Sequence, residues 1–422
     1  MNRVEQLINN LETGNLAKAQ KLFRDVEKSG SDIEKFTLAE ELRALGFLEQ
    51  AARLLSQLLE KYPDEGDIII SLAETYVDLD KDDEALLLLE KIKRDHPGYL
   101  QSLLIQADLY QVQGLFEVSE EKLQEAEKLA PDEEVILFAQ GELYASLGRF
   151  SEAIYKYEKV LKTTKEIGVV NIYQRLAECY SAMGEFEHAL NFYEKALGDK
   201  VDVDILFGFG FTAYQAKKYE LAIQRLTEVK ELDPDYESCY LPLAKSLDQE
   251  LEFEKAYQVA LEGIEVNPFN KELYHFAGTM MLKLGKTDEA ERLLKKALEI
   301  EPHYIAAILT LNKLYLDEER FGEVIELVEP LIQEGEEDPN LLWDYAVSCQ
   351  AEELYSNALK AYRRAYRYFK NNEGFLQNYG FFLLEEGIYD ECIEIFNKLH
   401  QLDPTNMEYV DILERLKGDF GS

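Results

Sequence analysis

Three stretches of the sequence imitate sites of chemistry. Gly285, Lys286 and Thr287 spell the end of a phosphate-binding loop, whose backbone amides and lysine would cradle a nucleotide. That loop needs a glycine five residues before its second one, and Met280 stands there. Asp78, Asp80 and Asp82 imitate the start of a calcium loop, yet Asp83 replaces the glycine of its sharp turn and Leu89 the bidentate glutamate. Gly208 and Gly210 lie in a Phe-Gly-Phe-Gly-Phe run without the rest of a dinucleotide fingerprint. His96, His188, His275, His303 and His400 are dispersed, and none begins a metal-ligand spacing. Cys179, Cys239, Cys349 and Cys392 have no paired spacing, which argues against a disulfide framework or a zinc site. Cys349 and Cys392 fall in apolar columns and are expected to fill the core. No nucleophile, base and orienting group can be assembled from this set, so the expectation is a non-enzyme with no cofactor and no metal.

The elements that would have to position such residues point the same way. Glycine and proline supply only 23 and 10 of the 422 residues, below average usage, so helices should dominate. A net charge of −38 repels phosphate backbones and anionic lipid surfaces, which makes nucleic-acid and peripheral membrane binding poor readings. Met1 to Asn10 carries Glu5 and no apolar core of signal length, and the longest aliphatic run is Leu86 to Leu89. The expected location is the reducing cytoplasm.

A period of 34 residues organises the chain. Pro63, Pro97 and Pro131 are spaced by 34, as are Pro234, Pro268 and Pro302, and Pro404 lies three periods further on. Ala51, Ala85, Ala153, Ala189, Ala222, Ala256, Ala290 and Ala358 follow the same grid after a turn residue. Between Gly66 and Tyr99, Ile69, Leu72, Ala73 and Tyr76 form the stripe of a first helix, and Ala85, Leu89 and Ile92 that of a second, which Pro97 ends. Gly141, Gly210, Gly278 and Gly380 share the column of Ala73, where small residues let two helices approach.

This pattern resembles the tetratricopeptide repeat. The resemblance implies an all-α, right-handed superhelical solenoid of about twelve antiparallel helix pairs with a C-terminal capping helix. Residues 1–31 read as a degenerate N-terminal pair, 32–406 as eleven tandem repeats, and 407–422 as a solvating helix presenting Met407, Val410, Leu413 and Leu416 on one face. Residues near Lys162 to Val169 add two positions to one repeat, and the junctions Gly198–Val203, Gln333–Pro339 and Lys370–Gly374 lack the usual proline. Pro330 lies within a second helix, where a missing donor and a ring clash predict a kink or early end.

In the family the first helices line a concave groove that holds a peptide or partner helix. Phe36, Ile70, Leu104 and Phe138 recur every 34 residues, and Phe207, Leu241, Leu309 and Trp343 take the same column later, as an apolar rail. One helical turn on, Glu40, Glu74, Asp108, Glu142 and Glu178 form an acidic column that changes to Phe211, Lys245, Thr279, Lys313, Val347 and Phe381. The family's clamp for a terminal carboxylate uses Lys, Arg and Asn, and the matching N-terminal positions here are acidic or apolar. The reading is a cytosolic interaction scaffold or adaptor whose groove holds a basic, amphipathic partner segment, with Trp343 as an anchor. The alternative is a peptide-sensing or ligand-switched regulator. A basic cluster, Arg363, Arg364, Arg367 and Lys370, offers a route to self-association with an acidic surface of another copy.

Overall fold

A computed structural model describes residues 3–198 and 202–420, with side chains to residue 416. Among these residues are 25 α-helices, one two-stranded hairpin and one 3-10 turn. Contacts divide the chain into two units, Met1–Val201 and Asp202–Ser422. The first unit holds α1 (Arg3–Glu12), α2 (Leu16–Ser29), α3 (Asp32–Ala44), α4 (Leu48–Lys61), α5 (Gly66–Val77), α6 (Asp82–Leu89), α7 (Tyr99–Val112), α8 (Phe116–Leu129), α9 (Glu134–Ser146), α10 (Phe150–Val160), the hairpin β1 (Glu166–Ile167) and β2 (Val170–Asn171), α11 (Ile172–Ala182) and α12 (Phe186–Leu197). The second holds α13 (Val203–Gln215), α14 (Tyr219–Leu232), α15 (Tyr240–Gln249), α16 (Phe253–Val266), α17 (Lys271–Lys283), α18 (Thr287–Ile300), α19 (Ile305–Asp317), α20 (Phe321–Glu334), α21 (Pro339–Ala351), α22 (Tyr355–Ala365), α23 (Glu373–Glu385), α24 (Tyr389–Leu402) and α25 (Met407–Phe420).

Each odd-numbered helix packs on the even-numbered one that follows it. All eight alanines of the grid are fully buried in these seams. The glycine column is closer still, since a Cβ at Gly141 would sit 2.5 Å from the Tyr157 ring, and one at Gly278 2.8 Å from Leu294. Those contacts fill the interface at the density of a protein interior, so an added methyl has nowhere to go.

The turn inside every pair contains one residue with left-handed backbone. Seven are glycines: Gly14, Gly46, Gly114, Gly148, Gly184, Gly285 and Gly387. The other five are Asp80, Lys217, Leu251, Glu319 and Glu353, with φ between 56° and 61°. Both imitation sites that crossed such turns are thereby explained: Gly285 is the left-handed turn between α17 and α18, and Asp80 that between α5 and α6.

Where a junction between pairs lacks proline, a side chain starts the next helix instead. Asp202 accepts from the amides of Asp204 and Ile205, Asp338 from those of Asn340 and Leu341, and Asn372 from that of Phe375. Each satisfies donors that the first turn of a helix leaves unpaired. Ser31 does the same for α3 in a reciprocal capping box with Glu34.

The early end expected at Pro330 and part of the closing helix's stripe need correction, and the insertion takes a definite form. Helix α20 does not end early at Pro330 but continues to Glu334, where Gly335 closes it in a left-handed cap. The two extra residues near Lys162 to Val169 belong to the hairpin, with Glu166 opposite Asn171 and Val169 fully exposed beside the tip. The closing helix buries Tyr409, Ile412, Leu413 and Leu416, while Met407 is exposed and Val410 only half-buried.

Candidate protein-binding surfaces

First helices of successive pairs touch one another directly, as in α1/α3, α3/α5 and α7/α9 of the first unit and α13/α15, α15/α17, α17/α19, α19/α21 and α21/α23 of the second. They therefore form an inner row in each unit.

In the first unit the acidic column lies along that row, and two arginines thread it. Arg43, one turn beyond Glu40 on α3, is 3.3 Å from Glu40 and also pairs with Glu74 of α5. Glu74 further accepts from the Gln101 amide at 2.7 Å. Arg175 of α11 reaches Glu142 of α9 at 3.0 Å and Glu178 of its own helix at 2.9 Å. The Tyr157 hydroxyl donates to Glu142, and burial followed by that carboxylate raises the phenol's pKa. Asp108 is exposed and has no ion-pair partner among the described residues. Five acids against two arginines leave the row negative.

Most of the apolar rail is half-buried. Phe36, Leu104 and Phe138 lean on the core beneath them. Ile70 is 5% exposed and enclosed, because its terminal methyl occupies the space that a side chain at Gly98 would take. It belongs to the core and offers no surface to a partner.

In the second unit Phe207 stacks on Phe211 at 5.8 Å between ring centroids and meets Tyr236 at 5.1 Å. Phe211 remains 37% exposed. Farther along, Trp343 stands edge-on to Phe369 and Phe375, at 5.4 and 5.5 Å, so its ring is half-covered by neighbours of its own chain. Of the basic cluster, Arg363 pairs with Glu391, and Arg364 donates to the Glu336 carbonyl at 2.9 Å. Arg367 and Lys370 are exposed beyond the end of α22 and have no such partners among the described residues.

A cavity of about 650 Å³ opens on the inner row between α13, α15 and α17. Leu241, Lys245, His275 and Tyr304 contribute to its wall. His275 takes the rail position of α17, a placement the apolar pattern concealed, and its Nε2 lies 2.9 Å from the Thr310 hydroxyl. Thr310 spends its own proton on the Ala306 carbonyl, so it accepts from the imidazole. Burial first, then the charge of Lys245, lower the His275 pKa. The four cysteines are free and buried, and desolvation raises their thiols to about 12 for Cys179 and about 11 for the other three. Such thiols are poor nucleophiles. No helix among the described residues is long and apolar enough to cross a membrane.

A model of YpiA-like tetratricopeptide repeats matches residues 111–165, and one of YpiA-like C-terminal tetratricopeptide repeats matches 339–406. Tetratricopeptide-repeat models also match 42–108, 170–198 and 281–343. The TPR repeat-containing protein YpiA of Bacillus subtilis (strain 168) is 39% identical over 417 residues, 99% of either chain. DnaJ homolog subfamily C member 7 of Homo sapiens is 26% identical over 151 residues, covering 32% of this chain and 31% of that one. Among solved structures, YrrB, a TPR protein with an unusual peptide-binding site, has a TM-score of 0.39 at 19% identity, covering 44% of this chain and 95% of its own. The APC/C hetero-tetramer Cut9–Hcn1 has a TM-score of 0.38 at 13% identity, covering 97% of this chain and 94% of that one. With a relative matched along nearly its whole length at that identity, the chain belongs to the YpiA-like tetratricopeptide-repeat family.

Proposed function

We propose that the chain is a non-enzymatic, cytoplasmic scaffold that binds segments of partner proteins along its inner rows. Four free, buried cysteines suit a reducing compartment. The observation that carries the reading is the row Glu40, Glu74, Asp108, Glu142 and Glu178, in which two arginines pair with four of the acids and leave the row negative. Charge complementarity favours a basic, amphipathic segment there, whose apolar side chains meet Phe36, Leu104 and Phe138. Phe207, Phe211 and Trp343 extend the apolar surface in the second unit. Asp108 is the contact left open to a lysine or arginine of the partner.

Photo-crosslinking tests this. A benzophenone amino acid replaces Leu104 on the inner row in one variant and Gln124, exposed on the second helix α8, in another. Exposed to native lysate, the Leu104 variant is expected to capture a discrete lysine- or arginine-rich segment, released by raising salt from 0.1 to 0.5 M. Equal capture of that segment from position 124 would reject the inner row as its seat.

A further inference from the structure

The inner row of the second unit carries the opposite chemistry. Lys245 takes the acidic-column position on α15, half-buried in the wall of the 650 Å³ cavity. No carboxylate lies within ion-pair distance of it among the described residues. Of the acids in the same wall, Asp248 pairs with Lys283, while Glu272 lies 4.0 Å from Lys271, which pairs more closely with Glu301. The hydroxyls of Tyr214, Tyr219 and Tyr304, which also line the cavity, have no hydrogen-bond partner in the protein among the described residues. His275 makes no hydrogen bond to Lys245 among the described residues; its Nε2 is committed to Thr310, and the charge of Lys245 opposes its protonation. A half-buried ammonium without a carboxylate partner is complementary to an anionic group entering the cavity.

We propose that this cavity binds the side-chain carboxylate of an internal Asp or Glu in an extended partner peptide, with Lys245 as its counter-ion and the three phenols as hydrogen-bond donors. The assignment rests on the scaffold reading and adds a charge preference opposite to that of the first unit. The rail continues on both sides of Lys245, to Phe207 on α13 and Leu309 on α19, so a chain crossing the site passes through and does not end there. Leu241, beside the lysine in the cavity wall, gives an apolar seat to the residue next to the acid.

The probes are C-terminally amidated, fluorescein-labelled nonapeptides with Glu at the centre, set among varied Leu, Val and Phe neighbours. Matched sets carry Gln at the centre, either amidated or with a free terminal carboxylate. Anisotropy against the full chain should show the central-Glu peptides binding at least about tenfold more tightly than the amidated Gln set. Lys245→Met and Lys245→Gln should abolish the difference and Lys245→Arg should keep most of it, while Lys296→Ala, on α18 and paired with Glu299, should leave it unchanged. Circular dichroism melts confirm that the variants are folded. Equal binding of amidated Glu and Gln peptides overturns the carboxylate assignment while leaving peptide binding by the inner row intact. Preference for the free-acid Gln set assigns the site to a chain terminus and overturns the internal one. Absence of all binding, while the Leu104 variant still captures its segment, overturns this proposal alone.

Discussion

The Arg320 guanidinium lies 4.4 Å above the ring of Tyr315, and the two meet again on one carboxylate, Glu291, at 2.8 and 3.0 Å. Glu323 and Glu318 add further contacts to the guanidinium at 2.9 and 3.0 Å. Arg149, in the first unit, repeats the arrangement 4.3 Å over Tyr144, with Glu120 and Glu152 in place of Glu291 and Glu323. Each cluster ties the turn inside one pair to the second helix of the pair before it.

Arg320→Ala should therefore loosen the second unit. A cation over an aromatic face and partly exposed ion pairs each contribute on the order of 0.5–1 kcal/mol, and the cluster combines them. Urea unfolding should show a loss of about 1 kcal/mol or more, and a double-mutant cycle with Glu291→Gln should be strongly non-additive. Additive losses would mean that the shared carboxylate does not couple the turn to the preceding helix.

Asp344 makes stability fall as pH rises. Burial lifts its carboxyl to about 6, opposed by the Asn312 amide at 3.2 Å and reinforced by Asp338. The folded pKa exceeds the unfolded value, so the native state binds more protons between about pH 4 and 6 and loses stability across that window as pH increases. The penalty at pH 7 is at most about 3 kcal/mol. Asp344→Asn should raise the urea midpoint at pH 7, leave it little changed at pH 4, and flatten the profile between. An unchanged profile would show that the carboxylate is solvated in the native state.

Of the acidic column, Asp108 should matter most to a basic partner. Its charge is uncommitted, whereas Glu74 and Glu142 already hold Arg43 and Arg175. Asp108→Asn should weaken capture of a basic segment by two- to fivefold, the scale of one exposed pair, with a shallower salt dependence. Arg43→Met, which frees Glu40 and Glu74, should strengthen it. Net charge alone predicts the same two signs, so matched charge changes at exposed positions of the second helices are the control, and equal effects there would reduce the result to a general charge effect.

Trp343 is half-covered before any partner arrives. Trp343→Ala removes two edge-to-face contacts and part of the buried ring, and should lower stability by about 2 kcal/mol or more, with Trp343→Phe retaining much of it. As the single tryptophan it reports directly: the emission of the free protein should already be blue-shifted, and partner binding at this ring should shift it further. Wild-type melting of Trp343→Ala would show that the ring is not held by Phe369 and Phe375.

The sequence and the structure agree where one residue type answers one local demand. The proline spacing marks pair junctions, and the alanine and glycine columns mark close helix contacts, because each follows from backbone geometry within one repeat. Binding surfaces were legible in part. The acidic column is visible as a period, but Arg43 sits one turn after its own acid and Arg175 one turn before its own, so no shared column announces the ion pairs they make across repeats. The hairpin Glu166–Asn171 has two residues per strand, too few for an alternating pattern. Met407 is exposed although it falls on the helical stripe, because such a stripe gives spacing without phase, and Tyr409 and Ile412 occupy the seam instead.

The left-handed turn residues give the molecule an uneven capacity for improvement by design. A side chain in that conformation costs about 1–2 kcal/mol relative to the right-handed helix, less for aspartate, while glycine adopts it freely and loses part of the gain to the greater freedom of its unfolded chain. Four of the five non-glycine cases, Lys217, Leu251, Glu319 and Glu353, lie in the second unit, and only Asp80 in the first. Glycine at the four should raise the second unit's resistance to heat in small, additive steps, each about 0.5–1 kcal/mol, without altering the acidic column or the rail. Lys217 lies in the cavity wall, so Leu251, Glu319 and Glu353 are the positions at which thermal hardening and recognition can be tuned separately.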